Sequence, residues 1–170
     1  MLCSNWIRTT LVLLMFSLVA GCGGWHMRGS HQLAAANDAS LHLNGGSPEF
    51  RADLLRAANL SGLTISDNAN TANLVINISS DLHRRRIYTV GVNEQPREFL
   101  LIYAVQASAK TAGKSLFDNE EIRRERIIRY DSENPLAGDN EAQLVINELR
   151  QELANQILFR AVNLYQKDSK

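Results

Sequence analysis

Cysteine is nearly absent from this 170-residue chain, with only Cys3 and Cys22 present, too few for a disulfide-stapled scaffold or a cysteine-rich zinc module. Prolines number 3 and glycines 10, which excludes collagen-like and proline-rich disordered architectures. Net charge is also missing: 18 Lys and Arg balance 18 Asp and Glu, so no overall field gathers polyanions, and a nucleic-acid partner is not expected. The apolar stretch near the N-terminus, Leu11 to Ala20, falls short of the ~20 residues that cross a bilayer. Catalytic signatures are lacking as well. There is no Gly-x-Ser-x-Gly elbow, no Ser-x-x-Lys and no glycine-rich phosphate loop. His26, His31, His42 and His83 are scattered without zinc-helix spacing, so neither a metal nor a cofactor is expected. Glu120 and Glu121 sit among arginines and read as ion partners rather than as a general acid and base. What is present is 45% hydrophobic residues, enough for one packed domain of ordinary size.

The first residues read as a targeting segment: one positive charge at Arg8, the apolar run, then Gly21-Cys22. Val19-Ala20-Gly21-Cys22 resembles the bacterial lipobox, in which small residues precede a cysteine that is diacylated and becomes the new N-terminus. The other reading makes Cys22 a disulfide or buried cysteine. Its one possible partner, Cys3, lies in the stretch that would be removed. Residues 1–21 are therefore expected to be a lipoprotein signal peptide, with lipidation at Cys22. Each buried CH₂ of an acyl chain contributes about 0.8 kcal/mol, and several chains hold a protein stably at a membrane. By resemblance to other bacterial lipoproteins, Gly23 in place of an inner-membrane-retaining aspartate implies sorting to the outer membrane, facing the periplasm.

Residues 22–38 form the lipidated N-terminus and tether, 39–166 the folded domain and 167–170 a tail. Residues 39–44 alternate, with Leu41 and Leu43 inward and His42 outward. Ser47-Pro48-Glu49 supplies a cap, a first-turn proline and an acid at the positive end of a helix dipole. Phe50, Leu54, Ala57 and Ala58 share one face, and Gly62 suits a left-handed cap after Leu60. Gly45-Gly46 reads as the turn before this helix. Leu63-Thr64-Ile65 begins an extended segment, and Leu74, Ile76 and Ile78 alternate as a strand. Glu98 to Ala109, apolar on both faces in its first half, reads as a central strand, and Ser115 to Tyr130 as its charged partner. From Pro135 the period changes: Ala142, Ile146, Leu149, Leu153, Ile157, Ala161 and Leu164 trace a long helical stripe. Asn140 and Gln143 have the spacing of a capping box at its start, with Asp139 and Glu141 beside them. The expected fold is α+β, in the order β-α-β-β-β-α: a two-layer sandwich with two helices on one face of a four-stranded mixed sheet.

Two basic groupings stand out. Arg123, Arg124, Arg126 and Arg129 are interleaved with Glu120, Glu121 and Glu125, the pattern of a self-neutralised strand whose charges guard a sheet edge. Arg84-Arg85-Arg86, expected just after a strand ending at Leu82, has only Asp81 as a near acid, and Arg97 lies beyond the following turn. These four guanidiniums suit a phosphorylated ligand or form a solvated hairpin tip.

The segment Cys22-Gly-Gly-Trp25-His26-Met27-Arg28-Gly29 resembles the mature N-terminus of the lipopolysaccharide-assembly lipoprotein family LptE, also called RlpB. Asp139-Asn140-Glu141, followed by Leu149-Arg150 and the spacing of Leu153, Gln156 and Arg160, is similar to that family's last helix. The resemblance implies a non-enzymatic α/β sandwich that plugs the periplasm-facing lumen of the β-barrel LptD, assists its assembly and delivers lipopolysaccharide to the cell surface. It also implies lipopolysaccharide contact by basic residues near the second hairpin and before the last helix. Where some relatives carry lysine before the Asp-Asn-Glu run, this chain has Gly138, so the contact is expected at Arg84, Arg85, Arg86 and Arg97. The competing role is a pilot or scaffold lipoprotein of another envelope machine, such as a secretin or the general barrel-assembly complex. A periplasmic hydrolase lacks a nucleophile, base and orienting group in this sequence.

Overall fold

Seven elements follow one another in the computed structural model, which describes residues 39–169. They are β1 (Ser40–Gly45), α1 (Pro48–Leu60), β2 (Thr64–Ile65), β3 (Leu74–Val90), β4 (Pro96–Thr111), β5 (Lys114–Arg129) and α2 (Pro135–Asp168). The expected signal peptide, Cys22 and the tether lie outside the described residues.

The start of α1 forms as its sequence dictates. Pro48 occupies the first turn, and the Ser47 hydroxyl accepts the Phe50 amide at 3.2 Å. A tertiary partner reinforces it: the Asp81 carboxylate on β3 accepts the Ser47 amide at 2.9 Å and the Ser47 hydroxyl. The Tyr103 hydroxyl donates to the same carboxylate at 3.2 Å. Burial first, and then the neighbouring Asp81 charge, hold this phenol protonated well above the ordinary tyrosine range. At the other end Gly62 takes φ 75°, and the Leu63 amide returns to the Ala58 carbonyl at 3.1 Å, a left-handed helix stop that only glycine makes without strain.

The sheet order is β2-β1-β3-β4-β5. Strand β1 runs parallel to β3 through α1, and β3, β4 and β5 then meander antiparallel. Class and helix placement match the expectation, but the sheet has five strands rather than four. The additional strand is the pair Thr64–Ile65, parallel to β1. Gly62 turns the chain so that this short extended segment lands beside Ser40 and Leu41, where the Thr64 amide reaches the Ala39 carbonyl at 3.3 Å and the Ser66 amide the Leu41 carbonyl at 2.8 Å.

Strand β3 also differs, continuing through the arginine triplet to Val90. Alternating burial stops at Ile78, which is where the sequence signal fades. The ladder continues because β4 pairs with almost all of β3, setting Arg84 opposite Ile102 and Arg86 opposite Leu100.

All buried strand positions face one way. Leu41, Leu43, Leu74, Ile76, Leu101 and Val105 share a core with Phe50 and Leu54 of α1 and with Leu149, Leu153 and Ile157 of α2. Strand β4 is internal to the sheet and β5 is its edge, as the charge pattern suggests. Neutralisation of β5, however, comes largely from α2 rather than from within the strand. Arg126 bridges Glu148 and Glu152 at 2.6 and 2.8 Å, and Arg160 holds Glu120 at 2.6 Å. Within β5 the pair is Arg123 and Glu125, 3.5 Å apart. The start of α2 needs a second correction. Pro135, with its fixed φ, opens the helix after Asn134, so the Asn140–Gln143 box does not form. Gln143 instead donates along the helix to Asn147 at 3.4 Å.

One ion pair ties the two helices together. Asp53 of α1, 6% exposed, accepts Arg150 of α2 at 2.6 Å and Arg56 of its own helix at 2.6 Å. Removing one partner of such a buried pair leaves an uncompensated charge. Asp53→Ala should therefore lower stability by about 3 kcal/mol, whereas Asp53→Leu combined with Arg150→Met should cost clearly less. Urea unfolding of the two variants checks this, and equal losses would show that the pair contributes no more than its packing.

Candidate functional site

Consecutive residues of an extended strand point to opposite faces of its sheet. The triplet Arg84-Arg85-Arg86 is therefore divided. Arg84 and Arg86 project from the face opposite α1 and α2, beside Ile102 and Leu100, while Arg85 lies on the side that α1 and α2 cover, opposite Leu101. The four predicted ligand residues accordingly fall into three places.

Arg85 is committed to internal contacts. Its guanidinium carbon lies 3.7 Å from the centre of the Phe99 ring and 5.1 Å from that of Tyr130, close enough for cation–π attraction. It also holds Asp139 on the first turns of α2 at 2.7 Å. Phe99 and Tyr130 meet edge to face with ring centres 4.9 Å apart. Behind them, Gly138 leaves the space that Tyr130 fills: a Cβ at position 138 would lie 2.8 Å from the Tyr130 ring. Here glycine matters for room rather than for backbone freedom, and Tyr130 occupies the place where a longer side chain at 138 would begin.

Arg97 lines an open basin of about 740 Å³ beside the start of α2. Arg129 and Tyr130 also line it, together with Glu98, Asp131 and Glu141. The basin is thus mixed in charge. Neither Arg97 nor Arg129 is held in an ion pair among the described contacts, whereas Glu98 accepts the Thr89 hydroxyl at 2.9 Å. In the sequence Arg129 falls within the self-neutralised group, and no local signal marks Tyr130. The register of Glu98 with Arg129 brings Arg129 to this end of the sheet, and strand pairing is not legible from local sequence.

Arg84 and Arg86 line a separate groove of about 280 Å³ on the face away from α1 and α2, with Leu82, Ile102 and Ala104 as apolar neighbours and Arg123 and Glu121 across it. Beyond the arginines, Tyr88 and Val90 are more than half exposed and Val92 at the β3–β4 turn is fully exposed, so the hairpin end is apolar as well as basic. Among the described residues, no three His, Cys, Asp or Glu side chains gather in a metal-holding arrangement. Among those residues, too, no helix is long and apolar enough to cross a membrane.

The family model for lipopolysaccharide assembly, LptE, matches residues 31–161. The chain belongs to the LptE family. Its work is lipopolysaccharide assembly, a non-enzymatic role. Solved structures share the fold at low identity. The crystal structure of rare lipoprotein B from Shewanella oneidensis is 22% identical, with a TM-score of 0.69 over 77% of this chain and 99% of that one. The solution structure of lipoprotein B from Nitrosomonas europaea is 22% identical, with a TM-score of 0.66 over 76% and 84%. A minor lipoprotein from Acinetobacter baumannii is 19% identical, with a TM-score of 0.57 over 72% and 88%. In this LptE-family chain, then, the basic side chains singled out from sequence all lie on the β3–β4 hairpin, divided between separate surfaces.

Because the Gly138 gap and the Tyr130 ring are complementary, Gly138→Ala should destabilise the domain by about 1–3 kcal/mol through overcrowding. In a Tyr130→Ala background the same substitution should cost far less. A thermal-unfolding double-mutant cycle measures the coupling, and additive losses would show that the two positions do not share this space.

Proposed function

We propose that this LptE-family protein is an outer-membrane lipoprotein, acylated at Cys22 after removal of residues 1–21 and facing the periplasm. In this reading it fills the lumen of the β-barrel LptD, helps that barrel assemble, and hands lipopolysaccharide toward the cell surface. The observation that carries the reading is the family match across residues 31–161. The surface supports it. A barrel lumen is polar and wet while the barrel's outside is apolar, and this domain shows a charged exterior cross-linked by pairs such as Arg126 with Glu148 and Arg160 with Glu120.

Of the predicted ligand residues, Arg84, Arg86 and Arg97 are the ones with guanidiniums available to lipopolysaccharide phosphates. Arg85 contributes indirectly, by holding Asp139 and the first turns of α2 against Phe99 and Tyr130.

The test of the plug is co-purification. The full chain extracted from membranes in mild detergent should retain a large β-barrel protein in about one-to-one ratio. Recovery of the lipoprotein alone, or with a secretin or the general barrel-assembly machinery, would sink the reading. For the ligand, replacing Arg84, Arg86 and Arg97 together by Ala should weaken lipopolysaccharide binding, with the largest difference at low ionic strength, where charges are least screened. Binding unchanged at every salt concentration would remove these residues from the role.

A further inference from the structure

We propose that residues 135–141, the first two turns of α2, are a strap that docks on the sheet and releases from it as a unit, with Arg85 and Asp139 as its latch. The inference concerns the domain itself and does not rest on the barrel or the ligand assigned above.

The strap is the part of α2 that its own sequence supports least. Asn134 precedes the helix without a side-chain capping bond, and no acid stands in the first turn. The amides at this end and the positive end of the dipole therefore lack the local partners that usually hold a helix start. The first hydrogen bond of the helix, from the Gly138 amide to the Asn134 carbonyl, is 3.4 Å long. Gly138, Asp139 and Asn140 are also weak helix formers.

Packing does not make up the difference. From Ala142 onward α2 buries a residue at each turn, through Ile146, Leu149, Leu153 and Ile157. Before Ala142 the buried residue is Gly138, which has no side chain to pack, and Leu136 is 71% exposed. The pairs that fasten α2 to β5 and α1, through Glu148, Glu152, Arg150 and Arg160, all lie beyond Glu141. Among the described residues, one ion pair reaches the strap, that of Arg85 with Asp139.

Arg85 itself belongs to the sheet, over the Phe99 ring. The Tyr130 amide donates to the Arg97 carbonyl at 2.8 Å, so cation and rings stay with the strands when the helix turns leave. Release then breaks one ion pair and the contact of Gly138 with Tyr130, and leaves the helix beyond Ala142 in place. The basin changes with it. Ala137, Gly138 and Glu141 form its α2 wall, facing Arg97 and Arg129 on the sheet, so the position of the strap sets the width of the basin.

Amide hydrogen exchange of the full chain, extracted from its membrane in mild detergent, tests this. Peptides covering 136–141 should exchange at least about a hundredfold faster than those covering 146–162, yet more slowly than an unstructured peptide. Exchange in the strap should rise with added salt, which screens the latch. Asp139→Asn should speed it and abolish the salt dependence, and Arg85→Met, which loses the ring contacts as well, should speed it about tenfold. Exchange over 146–162 should be the same in the unmodified chain and both variants. Strap amides as slow as 146–162, strap amides at the unstructured rate in the unmodified chain, or substitutions that accelerate both regions alike or neither would overturn the inference.

Discussion

Leu149, Leu153, Ile157 and Ala161 of α2 share one core with Leu101, Val105 and Ala107 of β4, and this one-sided cover decides what every other strand residue can do. A helix buries a stripe and a sheet buries a face. With both helices on the same side, each strand is divided into residues that belong to the core and residues that remain available. Asp53 with Arg150 fixes one helix against the other at the buried side, and Arg126 and Arg160 fasten α2 to the edge strand at the exposed side. The position of α2 is thus set by apolar packing and kept in register by charge.

The same division explains the behaviour of the basic residues. Three arginines in a row look like one cluster, yet the two-residue repeat of a strand makes them two populations. Arg85 faces the helix layer and becomes part of the fold, stacked on Phe99 and paired with Asp139. Arg84 and Arg86 face outward over a part of the sheet that α1 and α2 do not reach. Arg97 belongs to a third place, the basin where β4, β5 and the start of α2 converge. Glycine at 138 is coupled to this layout, because the Tyr130 ring that helps hold Arg85 occupies the space a side chain there would need.

Assembly proteins of this kind need no reacting groups, and their chemistry is a matter of surfaces. Membership of the LptE family places this chain in lipopolysaccharide assembly. Exposed apolar and cationic side chains occur together on the long β3–β4 hairpin and its neighbour β5. Elsewhere among the described residues charged side chains pair across elements, as Arg126 does with Glu148 and Glu152 and Lys114 with Asp168.

Much of the fold could be read locally. Ser47-Pro48, the Leu-x-Ile-x-Ile strand from Leu74 and the apolar stripe of α2 act over a few residues, and such signals survive in any context, as did the helix stop at Gly62. The fifth strand could not be read this way, because Thr64–Ile65 is a strand only by virtue of the β1 edge beside it. Nor could the start of α2, where two plausible openings competed and Pro135 prevailed. By itself the sequence determined the order of both helices and of four of the five strands, the two-layer class, the neutral charge balance and the four arginines of interest, since periodicity and composition are properties of short stretches. Only the tertiary structure decided which of those arginines are structural and which have no ion pair among the described residues, because facing and pairing depend on which strand lies alongside and which face α1 and α2 cover.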